Sequence, residues 1–203
     1  MEKVVWKGGT MLGPVPAAMV TVSDGERDNI ITVAWTGIVC SEPAKTYISV
    51  RPERFSFDMI KKSGEFAINL TSASLARAAD YCGTHTGRKV DKFEKCSLAR
   101  QKASAVSCPI IGESPVSLEC RVSDVIELGS HYMFLADIVA VDVAEDLIGE
   151  DGRMHIQRAK LAAFAHGEYF ELGRRIGKFG FSVKKNANRK KKPGERGGQS
   201  RER

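Results

Sequence analysis

No apolar run in this 203-residue chain approaches the roughly 20 residues that a bilayer-spanning helix needs. The first residues, MEKVVWKGGTMLGPVP, lack the long apolar stretch of a secretory signal, so the expected location is cytoplasmic. Five cysteines, Cys40, Cys82, Cys96, Cys108 and Cys120, include no CxxC pair and no histidine at ligand spacing. The four histidines, His85, His131, His155 and His166, share no metal-ligating spacing either, so no metal is expected. The cysteines therefore read as reduced, four as small buried hydrophobes and Cys40 as the one able to approach a ligand. No GxGxxG opens a helix after a strand, which disfavours a Rossmann nucleotide site, and no internal repeat is present. The pairs Glu145-Asp146 and Glu150-Asp151 fall in a polar loop and read as a solvated face, not an acid/base couple.

What is present is an ordinary globular composition, 42% hydrophobic and 28% charged. A chain longer than about 150 residues buries about 70% of its unfolded surface, enough for a core without staples. The formal charge of +6 is unevenly placed: nine Lys and Arg against two Glu from Lys184 onward leave residues 1–183 near −1. The expected organisation is a domain over 1–185 and a basic tail over 186–203. With no aromatic side chain and, apart from Pro193, no apolar one larger than alanine, the tail cannot offset its ordering entropy and is expected to be disordered. It also lacks the aromatics that would stack bases, which weighs against a nucleic-acid partner.

The hydrophobic pattern predicts strands over 15–22, 30–39 and 46–50, with SDGERDN as the first turn. Pro52 ends the third strand because it has no N–H to donate. A short helix from Ser56 stops at Ser63-Gly64, a strand covers 65–70, and a second helix runs from Ser74 to Gly83. Asp91, Lys92 and Phe93 open another short helix or turn. Long β segments over 116–128 and 131–143 flank Gly129-Ser130 as a hairpin. Shorter β segments follow over 159–163 and 166–172, and 177–183 holds the last apolar residues. Many strands joined by turns, with a few short helices, predict a mainly β protein: a barrel with peripheral helices.

Residues 29–56 carry the densest chemical signal. Thr32, Val33, Ala34 and Trp35 suit a strand edge beside a planar ring, and Arg51, Arg54 and Ser56 offer two guanidinium forks and a hydroxyl just beyond a strand end. That combination points to a flat aromatic ligand carrying a phosphate, and FMN has both parts.

Taken with PVPAAMVTVSD, ISVRPERFSFDMIKKSGEFAINL, DYCGTHTGRKVDKF, ELGSHYMFLADIVAV and LGRRIGKFGFSVKK, this stretch resembles the flavin reductase-like FMN-binding split barrels, and most closely their flavoredoxin-type members. The resemblance covers roughly residues 10–184 and implies a six-stranded antiparallel split barrel, usually a homodimer. It implies that Asn29, Thr32, Ala34, Trp35 and Thr36 line the isoalloxazine. Ser49, Val50, Arg51, Arg54 and Ser56 would follow the ribityl chain to the phosphate, with Lys92 adding charge. His131 stands where relatives carry Gly-Asp-His and would be the catalytic candidate, but this chain reads Gly129-Ser130-His131. The implied function is a flavin-dependent oxidoreductase passing electrons through bound FMN, with NAD(P)H as a candidate co-substrate and an undefined donor and acceptor. The alternatives are a non-enzymatic electron-transfer or flavin-storage protein of the same fold, serving another redox protein, and a nucleic-acid-associated protein recruited by the tail.

Overall fold

A computed structural model describes residues 1–183, and the expected tail over 186–203 lies outside the described residues. In chain order the elements are β1 (Val15–Pro16), β2 (Ala18–Ser23), β3 (Asp28–Val33), β4 (Thr36–Ser41), β5 (Ala44–Val50), α1 (Phe55–Ser63) and β6 (Glu65–Leu70). There follow α2 (Ala76–Thr84), α3 (Lys92–Lys95), β7 (Arg100–Gln101), β8 (Ile110–Ile111), β9 (Val116–Glu127), β10 (Tyr132–Val143), β11 (Ala162–Ala165) and β12 (Glu168–Glu171). Met1–Gly173 form one compact unit, and the described residues beyond it, 174–183, carry a 3₁₀ turn at Phe181–Val183.

Seven strands hydrogen-bond in the order β3-β2-β6-β9-β10-β5-β4, each pair antiparallel. The two edge strands, β3 and β4, are consecutive in the chain and joined only by Ala34 and Trp35. Three virtual bonds of about 3.8 Å cannot bridge the width of a flat seven-stranded sheet, so the sheet must curl until its edges meet. They meet at this corner, where the Ser49 N–H donates to the Trp35 carbonyl at 2.9 Å. No ladder joins β3 to β5 among the described residues, so the barrel stays split beside the corner.

The strand expected over 30–39 is thus two strands on opposite edges, and the sheet has seven strands where six were expected. Apolar alternation runs on through Ala34-Trp35 and cannot mark a bend between edges. Most other elements fall where the pattern puts them, including 65–70 and the β9–β10 hairpin, whose Gly129 has φ 89° and whose Leu128 N–H donates to the His131 carbonyl at 2.9 Å. The small β7–β8 pair was not expected, and β1 joins β11 and β12 in a separate three-stranded sheet.

Inside the barrel Val20, Val22, Ile31, Val33, Ile48, Phe66 and Phe134 pack against Phe57, Met59 and Ile60 of α1, which plugs the interior. Each such side chain contributes about 1.5–3 kcal/mol by leaving water. Gly64 ends α1 at φ 67°, its N–H donating to the Ile60 carbonyl at 2.8 Å, as the Ser63-Gly64 stop signal requires. Outside, α2, the 3₁₀ turn before it and α3 cover β2 and β3 through Leu75, Ala79, Cys82 and Phe93 against Met19 and Ile30.

One carboxylate organises the wall beside β6. Glu119 is fully buried and accepts from the Ser104 N–H and hydroxyl at 2.7 Å, the Ala105 N–H, and the Val106 N–H at 2.9 Å. Burial works against its charge, but these donors outweigh it and hold the group below its ordinary value of 4.5. Its neighbour Asp142 is pushed the other way, by burial and then by Glu119. We expect Glu119→Ala to lower unfolding free energy by about 1–3 kcal/mol, because it removes the acceptor of three part-buried amides and the Ser104 hydroxyl. Urea denaturation should show a lower midpoint at unchanged slope. A folded value below the ordinary one means that this stabilisation is complete above about pH 4.5 and lost as pH falls through the folded value. The variant should therefore lose less stability on acidification than the parent.

Candidate cofactor site

The split in the barrel opens into two adjoining cavities that share Ile31 and Arg54. One, about 150 Å³, lies between the β3 edge and the end of β5 and is lined by Thr32, Ala34 and Trp35 on one side and Ser49, Val50 and Arg51 on the other. Its Trp35 is 44% exposed, unusual for so large an aromatic at a barrel corner. His131, just after the hairpin turn, completes the wall: its ring centroid is 4.5 Å from that of Trp35, tilted by 42°. Ser130 Oγ lies 2.9 Å from His131 Nδ1. Burial, then the Arg51 guanidinium and, more weakly, that of Arg54, hold His131 below its ordinary 6.5 against an opposing Glu53. At neutral pH it is therefore a neutral imidazole.

The second cavity, about 330 Å³, is polar and brings Asn29, Ser56 and Lys92 together from β3, α1 and α3. Together the cavities fall within the roughly 300–1,000 Å³ of small-molecule sites. Asn29 Nδ2 donates to Ser56 Oγ at 2.8 Å, both side chains being buried. Gly87 sits hard against this pair, since a Cβ there would stand 2.0 Å from Asn29 Oδ1. The N-terminus of α1 forms part of the same wall, and its cap residue Arg54 makes no side-chain capping bond. First-turn amides and the helix dipole there favour an anion. Arg54 has no carboxylate partner among the described residues, and Arg51 meets Glu53 only at 3.5 Å with both side chains about half exposed, a pair worth little.

Three sequence expectations change on contact with the geometry. Lys92 lines the polar cavity, but its ammonium is not a free charge: it donates to the Ile30 and Cys82 carbonyls, each at 2.7 Å. Packing α3 on β3 buries its stem to 4% exposure, and a buried ammonium needs acceptors. Burial brings its pKa down to about 8, with Cys82 opposing and Arg54 adding to the shift. Thr36 lines neither cavity, because its hydroxyl donates to the Tyr47 carbonyl at 2.6 Å and clamps β4 to β5. Cys40 is on β4, also outside both cavities, whereas Cys82 lines the polar one. Thr32 contributes to the wall while its hydroxyl donates to the Ala79 carbonyl at 2.6 Å, tying β3 to α2.

Sequence reasoning missed the end of α2 and the loop after it, where Gly83, His85, Thr86 and Gly87 close the polar cavity. Two glycines within five residues were the available signal. It also missed Phe55, held between the Arg27 and Arg88 guanidiniums, each 5.1 Å from its centroid. A third cavity, about 360 Å³ and largely apolar, shares Ala34 and Trp35 with the first and is bounded by Met11, Leu12 and Phe164. Among the described residues no group of His, Cys, Asp and Glu is placed to hold a metal ion, and no helix is long and apolar enough to cross a membrane.

The arrangement can seat a planar group against a strand edge and an anion at a helix N-terminus. Comparisons with known proteins agree with that shape. The sequence model described as "Flavin reductase like domain" matches residues 11–173. The chain is similar to the flavoredoxin of Desulfovibrio vulgaris (Miyazaki F), with a TM-score of 0.84 and 31% identity, covering 90% of this chain and all of that one. It shares its fold with an FMN-binding protein from Thermus thermophilus, at a TM-score of 0.72 and 24% identity over 84% of this chain and 96% of that one. A NADPH-flavin oxidoreductase of Streptomyces viridifaciens is 24% identical over 73% of this chain and 78% of that one. The fold is that of the flavoredoxin split barrel, and the chain belongs to the flavin reductase-like family.

Proposed function

We propose that the protein binds FMN along the split of the barrel and works as a flavin-dependent oxidoreductase. The observation that carries this reading is the pair of joined cavities, one a strand edge with Trp35 and the other a helix N-terminus with Asn29, Ser56, Arg54 and Lys92. Thr32, Ala34, Trp35 and Ser49 would hold its isoalloxazine, Val50 and Arg51 its ribityl chain, and Arg54, Ser56 and the amides of α1 its phosphate. Thr36 serves this site from behind, by holding β4 on β5. Lys92 adds its one uncommitted N–H at the phosphate end, since an ammonium has three donors and two are engaged.

Bound FMN would supply two-electron chemistry, and the protein supplies position, charge and access. Asn29 and Ser56 hold each other before the ligand arrives, so little ordering is left to do on binding. The neutral imidazole of His131, beside Trp35, offers a donor or acceptor at the ring end without placing a positive charge there. The apolar third cavity, which shares Ala34 and Trp35 with the ring end, suits the incoming donor or acceptor, NAD(P)H included. Exposed Ile38 and Val39 on β4 with Val139 and Val141 on β10 support a homodimer. We place the protein in the cytoplasm and take 1–185 as its cofactor-binding domain. A second reading, an electron carrier or flavin store serving another redox protein, is favoured by one observation: Ser130, its Oγ 2.9 Å from His131 Nδ1, stands where the resemblance to the family's reductases implies aspartate.

The purified protein should be yellow, or bind FMN on titration, and a colourless protein that leaves FMN fluorescence unchanged would overturn the proposal. Because the Lys92 charge is lost as pH rises through about 8, the affinity advantage of FMN over riboflavin should shrink above that pH, by about tenfold per pH unit at most. Riboflavin lacks the phosphate and serves as the control. Gly87→Ala must displace Asn29 from Ser56, and we expect its FMN dissociation constant to rise about tenfold, the equivalent of about 1.4 kcal/mol. Anaerobic stopped-flow mixing of the holoprotein separates the two functional readings. Rapid bleaching by NADH or NADPH identifies the oxidoreductase, whereas bleaching by dithionite alone identifies the carrier.

A further inference from the structure

Two thiols share one apolar cluster behind the polar cavity. Cys82, on the last turn of α2, is 1% exposed and forms part of that cavity's wall. Cys96 follows α3 directly and is half-buried, lining a separate cavity of about 460 Å³ with Arg77, Tyr81 and Lys95. Cys96 packs against the apolar cluster that contains Cys82, and Ala78 and Tyr81 of α2, the helix that carries Cys82, line the Cys96 cavity. Backbone bonds fix Cys96 in place: its N–H donates to the Lys92 carbonyl at 3.1 Å, and the Leu98 N–H donates to the Phe93 carbonyl at 2.8 Å. The Lys92 ammonium in turn holds the Cys82 carbonyl. Cys108 and Cys120 are also neighbours, yet each has about 1% exposure or less and lines none of these cavities.

We propose that Cys82 and Cys96 are a reversible dithiol–disulfide couple, oxidised by a hydroperoxide entering from the Cys96 side. In the first step the Cys96 thiol is oxidised by hydrogen peroxide to the sulfenic acid, releasing one water. In the second the Cys82 sulfur attacks the Cys96 sulfur, the S–S bond forms, and the sulfenic oxygen leaves as a second water carrying the Cys82 proton. Two thiols lose two electrons and one peroxide gains them. The order follows from access: burial holds the Cys82 thiol up at about 12, so the more exposed sulfur reacts first. The bond would staple the end of α2 to the end of α3, the two elements that flank the loop around Gly87 and carry Lys92. This inference goes beyond the proposed cofactor reading and is tested on the thiols themselves, so it stands or falls whether or not FMN binds.

The test treats the full-length reduced protein with one equivalent of hydrogen peroxide and follows intact mass and an unreduced tryptic map. Cleavage after Arg77, Arg88, Lys95 and Arg100 places the two cysteines on separate peptides, 78–88 and 96–100. The expected result is a mass loss of about 2 Da, a cross-linked pair of those peptides, and full reversal by dithiothreitol. Cys96→Ser should abolish the cross-link and leave the parent's circular dichroism unchanged. If that variant fails to fold, the parent's peptide map alone decides. A gain of about 32 Da at Cys96 with no cross-link, or a cross-link confined to Cys108 and Cys120, overturns the proposal.

Discussion

Everything in this molecule depends on the two residues that join opposite edges of one sheet. Ala34 and Trp35 are all that separates β3 from β4, and β3 and β4 are the first and last strands of a seven-stranded order. Short connection and distant edges cannot both be satisfied by a flat sheet, so the barrel is a consequence of chain geometry before any side chain packs. The bond from Ser49 to the Trp35 carbonyl fastens the corner. Because it fastens only the corner, the β3 edge beside it has no strand paired to it among the described residues and faces a gap. An edge of this kind would be a liability on a free sheet. Here it forms the wall of a cavity, which is why the planar part of a ligand and the barrel's seam coincide.

The charge distribution at the other end of the groove follows from burial. Arginine at positions 51 and 54 remains largely in solvent, where a planar fork can rearrange onto a phosphate with little desolvation. Lysine at position 92 is almost fully enclosed and keeps its charge only because two carbonyls accept from it. Those carbonyls belong to β3 and α2, so the same side chain that supplies charge also holds the outer helix layer on the barrel. Asn29 and Ser56 satisfy each other inside the wall, and the close approach of Gly87 leaves Asn29 no other place to go. Positive charge is therefore arranged in layers, mobile outside and fixed inside, around a helix N-terminus.

Legibility in the sequence tracked how local the governing physics was. Gly64 ends α1 and Gly129 turns the β9–β10 hairpin through their own backbone angles, and both were readable from neighbours a few residues away. Residues 65–70 form a strand buried from both sides, and their apolar run says so. The bend at Ala34-Trp35 was not readable, because it is imposed by pairing between strands far apart in the chain. Cavity residues on the Asn29–Ser56 stretch were legible as chemistry, yet Thr36 within it faces Tyr47, a consequence of which side of β4 the corner turns outward. Residues 83–87 left only a faint trace, the pair Gly83 and Gly87, for a different reason. Their contribution is close approach by glycine and wall shape, and neither leaves a side-chain signature.

The corner also separates two tasks that selection could tune independently. Ala34 and Trp35 line both the ring-end cavity and the apolar cavity beyond it. On the inner side they face Ser49 and Val50, residues tied into the barrel's ladders, so a change there disturbs the fold as well as the ligand. On the outer side they face Met11, Leu12 and Phe164, from the N-terminal segment and the small separate sheet, which the main sheet does not need for closure. A substitution at Met11 or Leu12 reshapes the approach to the ring end while the phosphate end, on the far side of Arg54, is untouched. In the proposed reading, cofactor retention is written into the barrel and the choice of electron partner into what is laid against it.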